Sequence, residues 1–237
     1  MKNRWPLLML LVLVGCRGVP TKVSKPNLRL LQQGDAWNFK EVPELDWQET
    51  YRYEIVTASA PNPQGVRSLV LRITHRYWGA LPGYQKDWQT RSCDYSLQQS
   101  ATGAIQWGDA VSDGRGYLDG VITSFPLMVP SPLVAGQTFD SGAKSWGTGN
   151  GTERQTARVV GQEQISTRLG NFKAWRIDSE RTLTKDDGKV TLIERWTDWY
   201  DSDKWLLKRT YQADAPDDKL VHTLSTFVGQ AGLQQVK

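Results

Sequence analysis

The amino-acid sequence predicts an all-β fold, either an antiparallel half-barrel or a two-sheet sandwich. Apolar and polar residues alternate with a period of two over most of the chain after residue 48. Turn signals separate these runs, the clearest being Lys185-Asp186-Asp187-Gly188. Helical periodicity is nearly absent beyond the N-terminus, so antiparallel strands are the predicted elements.

The alternation is clearest in SLVLRITHRYW, residues 68–78. It places Leu69, Leu71, Ile73, His75 and Tyr77 on one face of a predicted strand, with mostly polar residues on the other. TYRYEIVTA before it, and QTRSCDYSLQQ and AIQWGDAV after it, are further predicted strands. The apolar face is therefore the predicted core face.

The middle of the chain predicts irregular connections. SFPLMVPSPLVAGQTFD contains three prolines, which cannot donate to a sheet ladder, so we expect an extended crossover with buried aliphatic side chains. SGAKSWGTGNGTE is glycine-rich and predicts a flexible loop. ERQTARVVGQEQIST is predicted to be a pair of strands or one long bent strand, and TRLGNF and KDDG are predicted hairpin turns. The further predicted strands are FKAWRIDSERTL, VTLIERWTDWYDS, KWLLKRTYQA and KLVHTLSTFVG.

The N-terminus has the layout of a secretory signal peptide. Lys2 and Arg4 precede an apolar run from residue 7 to residue 14, which is under half the length that spans a bilayer. Residues 1–15 are the predicted signal peptide, 16–46 a lipidated N-terminus and flexible tether, and 47–237 the antiparallel β domain. The prolines and mixed charges of RGVPTKVSKPNLR favour an extended tether.

Leu13-Val14-Gly15-Cys16 resembles the lipobox of bacterial lipoproteins. The resemblance implies cleavage between Gly15 and Cys16, lipidation of the Cys16 thiol and an acylated new amine. Two or three acyl chains would hold the protein on a membrane. Position 17 is arginine rather than aspartate, and by analogy with enteric bacteria this favours the outer membrane, facing the periplasm.

Residues 120–212 are similar to uncharacterised bacterial periplasmic proteins and lipoproteins. The similarity rests on the proline-bearing FPLMVPSPLVAGQTF, on GNFKAWRID, and on ERWTDWYDSDKWLLKR. The last motif has Asp203-Lys204-Trp205 where the family has a hairpin-tip glycine. The resemblance implies a half-barrel without an established activity, and the general shape also resembles the Lol carriers of acyl chains.

Composition excludes one class of partner. Without the signal peptide the chain has 27 basic and 25 acidic side chains, a net charge of about +2. A nearly neutral chain has no electrostatic footprint for nucleic acid. With Cys16 lipidated, Cys93 is left without a partner for an intramolecular disulfide, and we expect it to be buried.

No catalytic or metal-binding motif is evident, and we expect neither an enzyme nor a cofactor. The two histidines, His75 and His222, are far apart and lie in apolar-alternating strands. HExxH, CxxC and HxH are missing, and Asp198, Asp201 and Asp203 are typical of turn chemistry rather than calcium binding. A glycan or cell-wall hydrolase would need two carboxylates facing one cleft, from among Asp94, Asp109, Asp113 and Glu194.

Tryptophans are the remaining functional signal, because 11 occur in 237 residues. Trp196 and Trp199 have opposite parity on one strand, so they face opposite sides unless the strand is bulged. One interpretation is that the tryptophans are large core residues. A second is that they form a wall that receives an acyl chain or sugar, and a third is that they form an exposed patch for a partner protein. The predicted ligand-binding candidates are Trp78, Trp175, Trp196 and Trp199.

These observations predict a non-enzymatic envelope lipoprotein. It would bind a hydrophobic ligand or a protein partner in envelope biogenesis, with a lipid, a glycan or an envelope protein as possible partners. The alternative is a scaffold subunit of an envelope complex without a small ligand. A hydrolase is the less favoured third reading.

Overall fold

The computed structural model describes residues 28–42, 50–79, 87–110, 128–145, 151–214 and 231–236. These residues form one antiparallel sheet of twelve strands. The predicted all-β antiparallel fold is confirmed, and its strands belong to one continuous ladder rather than to two separate sheets.

The twelve strands are β1 (Ala36–Val42), β2 (Thr50–Ala58), β3 (Arg67–Gly79), β4 (Asp87–Gln99), β5 (Ile105–Ala110), β6 (Met128–Val129), β7 (Thr138–Ser145), β8 (Gly151–Thr167), β9 (Gly170–Lys185), β10 (Val190–Asp201), β11 (Trp205–Asp214) and β12 (Ala231–Val236). Their order across the sheet is β6-β5-β4-β3-β2-β1-β12-β11-β10-β9-β8-β7. The first and last strands are therefore neighbours in the middle of the sheet.

One face of the sheet, here called the inward face, bears the main hydrophobic core. Alternate residues of each strand contribute to it, as Tyr51, Tyr53 and Ile55 do in β2, each at most 1% exposed. The predicted core face of β3 is confirmed by the burial of Leu69, Leu71, Ile73 and His75. The opposite, outward face is mostly polar.

The sheet is strongly curved, as the chain before β1 shows. Residues 28–32, here called the N-terminal strap, bridge two distant strands. The Arg29 N–H donates to the Ser202 carbonyl beyond β10 at 3.0 Å, and the Leu31 N–H donates to Gln99 Oε1 at the end of β4 at 2.9 Å. Strands β4 and β10 are six steps apart, about 29 Å in a flat sheet. Since Arg29 and Leu31 are at most about 7 Å apart, the sheet curls into a half-barrel.

The N-terminal strap is part of the fold. Leu28 and Leu31 are at most 1% exposed, and Arg29 forms an ion pair with Asp35 at 2.6 Å. Strand β1 follows directly and pairs with β2 on one side and β12 on the other. Residues 28–42, which lie within the segment 16–46 assigned from the sequence to the lipidated N-terminus and tether, are therefore part of the described fold.

The proline-rich connection and the long hairpins follow the sequence pattern closely. Val129 and Leu133 are buried, as expected for the crossover, whereas Val134 is exposed; Met128 and Val129 form a short strand, and the segment ends in β7. Both ends of the predicted glycine-rich loop are instead strand, because residues 141–145 belong to β7 and residues 151–153 to β8. ERQTARVVGQEQIST is one long strand with a bulge between Val159 and Gly161.

Charged groups are buried inside the half-barrel. Arg209 of β11 donates two hydrogen bonds to Asp198 of β10, at 2.6 and 2.8 Å, and both side chains are at most 2% exposed. The Tyr200 hydroxyl donates to the same carboxylate, and burial raises the pKa of Tyr200 well above its usual value. The second buried network joins Glu194 to Arg181 and Tyr211. Each buried carboxylate is thus hydrogen-bonded, as burial of charge requires.

The β10–β11 hairpin places an unusual residue at its end. Trp205 has φ = 63°, the left-handed region that favours glycine. Its ring is 2% exposed and lies 4.9 Å from that of Trp37, beside the N-terminal strap. Tertiary packing here therefore holds a bulky side chain in a costly backbone conformation.

Within the described part of the chain, no helix is long and apolar enough to cross a membrane.

Candidate functional site

A shallow cavity of about 880 Å³ lies against strands β7 to β11. Its lining consists of three consecutive residues from each of these five adjacent strands, centred on Phe139, Ala157, Ser179, Trp196 and Tyr211. These central residues are in register with one another and belong to the inward face. The flanking residues therefore project from the outward face.

The cavity is on the outward face, and we call it the outer groove. Inward residues two positions further along the strands, including Arg181, Glu194 and Asp198, do not line it. Its outward side chains form two parallel rows. Row one is Thr138, Arg158, Asp178, Thr197 and Thr210, and row two is Asp140, Thr156, Glu180, Arg195 and Gln212.

The dimensions of the outer groove follow from sheet geometry. Five strands spaced about 4.8 Å apart give rows about 19 Å long, and residues two positions apart on a strand separate the rows by about 7 Å. The outward side chains of both rows are polar or charged, and none is aromatic or aliphatic. The groove is therefore suited to a ligand that forms hydrogen bonds along an extended line.

Ion pairs neutralise most of the charge in the outer groove. Arg195 donates to Glu180 across β10 and β9 at 2.7 Å. Asp178 accepts from Arg176 at 2.9 Å and from the Thr197 hydroxyl at 2.8 Å. Asp140 is paired with Arg154. Hydrogen bonds from Arg154, and a further one from the Gly142 N–H, lower the pKa of Asp140.

Arg158 is the exception among these groups. It lies directly across from Asp178 in the β8–β9 register, yet it forms no ion pair or side-chain hydrogen bond with any described residue. Asp178 is engaged by Arg176 on its own strand and by Thr197 on β10, away from β8. An exposed guanidinium group is thus left available in row one.

Of the four tryptophan candidates, Trp196 is among the residues that line the outer groove, but its side chain points to the other face. Trp196 is buried in the main core and Trp175 packs against that core. Trp199 belongs to a separate cluster on the outward face, where it packs with Ala174 and Leu207 and its Nε1–H donates to Glu163. The predicted opposite orientation of Trp196 and Trp199 is therefore observed, and a bulge lies beside Trp199.

Trp78 lies in β3, in register with Trp88 of β4. Trp88 is 40% exposed, and the Arg76 guanidinium lies 4.6 Å from its ring centroid. These residues are in the other half of the sheet from the outer groove. Gly15 and Cys16 lie outside the described residues.

Of the four carboxylates named for a hydrolase, the two whose side chains the structure describes lie on opposite faces of the sheet. Asp94 is on the outward face of β4, where Arg72 donates two hydrogen bonds of 2.8 Å to it and lowers its pKa. Glu194 is buried on the inward face of β10. Asp109 lies in β5, and Asp113 is outside the described residues.

The histidine, cysteine and aspartate candidates that the structure describes are buried in the core or bonded within a turn. His75 is 3% exposed and its ring stacks on Tyr51 at 4.2 Å, while His222 lies outside the described residues. Cys93 is buried, as predicted. Asp201 accepts the N–H groups of Asp203 and Lys204 in the hairpin turn. Nowhere in the described ranges do three histidine, cysteine or acidic residues form a group able to hold a metal ion.

Two solved structures resemble this chain over most of its length. One is a Bacteroides fragilis protein assigned as exported and of YmcC-like fold, with 11% identity, a TM-score of 0.45, and coverage of 86% of this chain and 94% of its own. The other, from Parabacteroides distasonis, is assigned as a lipoprotein, with 9% identity, a TM-score of 0.42, and coverage of 89% and 97%. No protein-family model and no curated protein sequence matches this chain.

The outer groove was not predicted from the sequence. Its residues are mostly threonines and charged residues at outward positions, which resemble ordinary solvated sheet surface. The available sequence signal was the alternation of polar residues along strands β8 to β11. This alternation predicts neither the register that aligns the two rows nor the ion pairing that leaves Arg158 without a partner among the described residues.

Proposed function

We propose that this chain is a non-enzymatic lipoprotein of the bacterial cell envelope that binds a partner protein through the outer groove. A diacylated Cys16 would anchor it, with the outer membrane as the favoured site. The observation that supports binding is the outer groove itself: two rows of outward polar side chains over five strands, one of which includes a guanidinium, that of Arg158, without an ion-pair partner in the described part of the chain.

The chemistry of the groove favours a protein over a hydrophobic ligand. Burial of an acyl chain requires apolar walls. The outward side chains that line the groove are instead all polar or charged, and buried apolar residues of these strands such as Val159, Ile177 and Trp196 pack in the main core. A protein segment matches the groove better, because a backbone offers donors and acceptors along an extended line.

Photo-crosslinking in intact cells tests this proposal. A benzoylphenylalanine at Gln212, at one end of row two, is expected to crosslink to one envelope protein that mass spectrometry identifies. The matched control places the same group at Thr90, which is exposed on the outward face of β4. Thr210→Trp, which fills row one next to the probe, is expected to remove the Gln212 product.

A product obtained equally from Thr90, or one that Thr210→Trp leaves unchanged, would contradict groove-specific docking. Failure of any protein to crosslink at Gln212 would contradict the proposed function as a whole.

A further inference from the structure

We infer that the outer groove selects a segment of the partner that carries a single carboxylate, and that Arg158 is the residue that binds it. This inference rests on the proposed function, since it specifies the chemistry of the same groove. It is carried by the charge distribution within the two rows rather than by the groove's shape.

The charges of the groove leave one uncompensated cation. The guanidinium groups of Arg154, Arg176 and Arg195 each pair with a carboxylate. Arg158 has no such partner among the described residues, although it is exposed and central to the length of β8. An unpaired guanidinium presents a planar fork of donors that matches a carboxylate in bidentate geometry.

The residues around Arg158 restrict the number of acidic groups on the ligand. Its cross-strand neighbours in row one are Thr138 on β7 and Asp178 on β9. Thr138 offers a hydroxyl group to a neutral polar residue. Asp178 and Glu180, although paired, place negative charge beside the ligand residues next to the one that Arg158 binds. They therefore disfavour a second carboxylate on the ligand. The ligand that fits is a single acidic residue flanked by neutral polar residues.

An extended peptide accounts for the groove better than a sugar does. Rows of about 19 Å match about six extended residues at 3.3 Å each. The outward lining contains no aromatic ring on which a sugar could stack. A carboxylated sugar shares the anionic chemistry, so the test includes one.

The test measures binding of fluorescein-labelled hexapeptides to the full-length protein in detergent micelles by fluorescence anisotropy. One peptide has a single aspartate among serines and threonines, and the other has asparagine in its place. Because a charge-assisted hydrogen bond is involved, the aspartate peptide should bind about 10- to 100-fold more tightly. Arg158→Gln should abolish this preference. Arg52→Gln, on the outward face of β2, should retain it.

Equal affinity for the two peptides, or a preference that persists in Arg158→Gln, would overturn the inference. Tighter binding of a uronic-acid oligosaccharide than of the aspartate peptide, lost in Arg158→Gln, would overturn the assignment of a peptide. If the aspartate preference is found but no protein crosslinks at Gln212 in cells, the proposed function fails while the selectivity of Arg158 stands.

Discussion

Individual residues inside the half-barrel are held by interactions that the surface pattern does not reveal. The Asp198–Arg209 pair is fully enclosed, with the Tyr200 hydroxyl on the same carboxylate. The two residues are direct cross-strand partners in the β10–β11 register, next to the bulge after Trp199. A one-residue slip of this hairpin would separate the charges, so the pair opposes alternative registers.

Asp198→Asn should lower the free energy of unfolding by about 3–5 kcal/mol, because it leaves the Arg209 charge buried without its counter-ion. Urea denaturation of the purified protein measures the change. Glu180→Gln is the matched control, since it breaks the exposed Arg195 pair and should cost at most about 1 kcal/mol. Similar small losses in the two variants would show that the buried pair is not a stabilising constraint.

Trp205 offers a second residue-level test, because its backbone and side chain have opposing preferences. Both Trp205→Ala and Trp205→Gly remove the packing against Trp37, with an expected loss of about 3–5 kcal/mol. Glycine should nevertheless be about 1 kcal/mol more stable than alanine, because the residue at φ = 63° carries no Cβ penalty. Denaturant midpoints that rank alanine above glycine would contradict this strain.

At the scale of elements, most of the sheet consists of long hairpins between consecutive strands. Their turns were predictable because the signal is local: Asp187-Gly188 ends β9 with the expected glycine at φ = 81°. The alternation in β3 was likewise local. The position of β1 in the middle of the sheet was not predictable, since one of its two partners, β12, is about 190 residues away in sequence.

The β3–β4 hairpin provides a pH-dependent prediction. Hydrogen bonds from Arg72 lower the folded-state pKa of Asp94 below its unfolded value of about 3.9. The resulting stabilisation is therefore present above pH 4 and is lost as the pH falls through the folded-state pKa. Wild type should exceed Asp94→Asn in stability at pH 7, by at most about 1 kcal/mol because Arg72 is half exposed.

Thermal unfolding from pH 7 down to pH 2 measures this difference. The gap between wild type and Asp94→Asn should close below pH 4. Asp186→Asn, in the exposed β9–β10 turn and without an ion pair among the described residues, is the control and should give no such convergence. A gap that widens toward low pH would contradict the assigned sign.

The exposed edges of the sheet are short or irregular. Strand β6 has two residues and is followed by Pro130, while β7 is interrupted by a shift in register between Asp140 and Ala143. Prolines and bulges of this kind discourage edge-to-edge pairing with other chains. These features support the proposal that a partner protein binds in the outer groove rather than at a sheet edge.

For the whole molecule, the sequence was informative about fold class and weak about the site. Period-two alternation and turn signals are properties of neighbouring residues. The outer groove instead depends on five strands being aligned, from Thr138 to Gln212, and on Asp178 turning toward β10. Neither the register nor that side-chain orientation is a property of a local sequence window.

The prediction for the whole molecule concerns its proposed lipid anchor at Cys16. Cys16→Ser should move the protein from the membrane fraction to the soluble periplasmic fraction, because acyl chains supply the proposed membrane affinity. Cell fractionation with a high-salt wash, followed by immunoblotting, measures this. Arg17→Ser is a neighbouring control that should stay membrane-bound. Continued need for detergent to extract Cys16→Ser would contradict the lipobox interpretation.

The adjacency of β1 and β12 has a consequence for how the chain acquires its structure. Strand β1 needs β12 as a neighbour, and the Arg29 side chain donates to a carbonyl 174 residues further on. Contacts so distant in sequence slow folding, because a long loop must close before they form. Strand β1 can therefore complete its pairing only after β12 has been synthesised, so the middle of the sheet depends on both ends of the described chain.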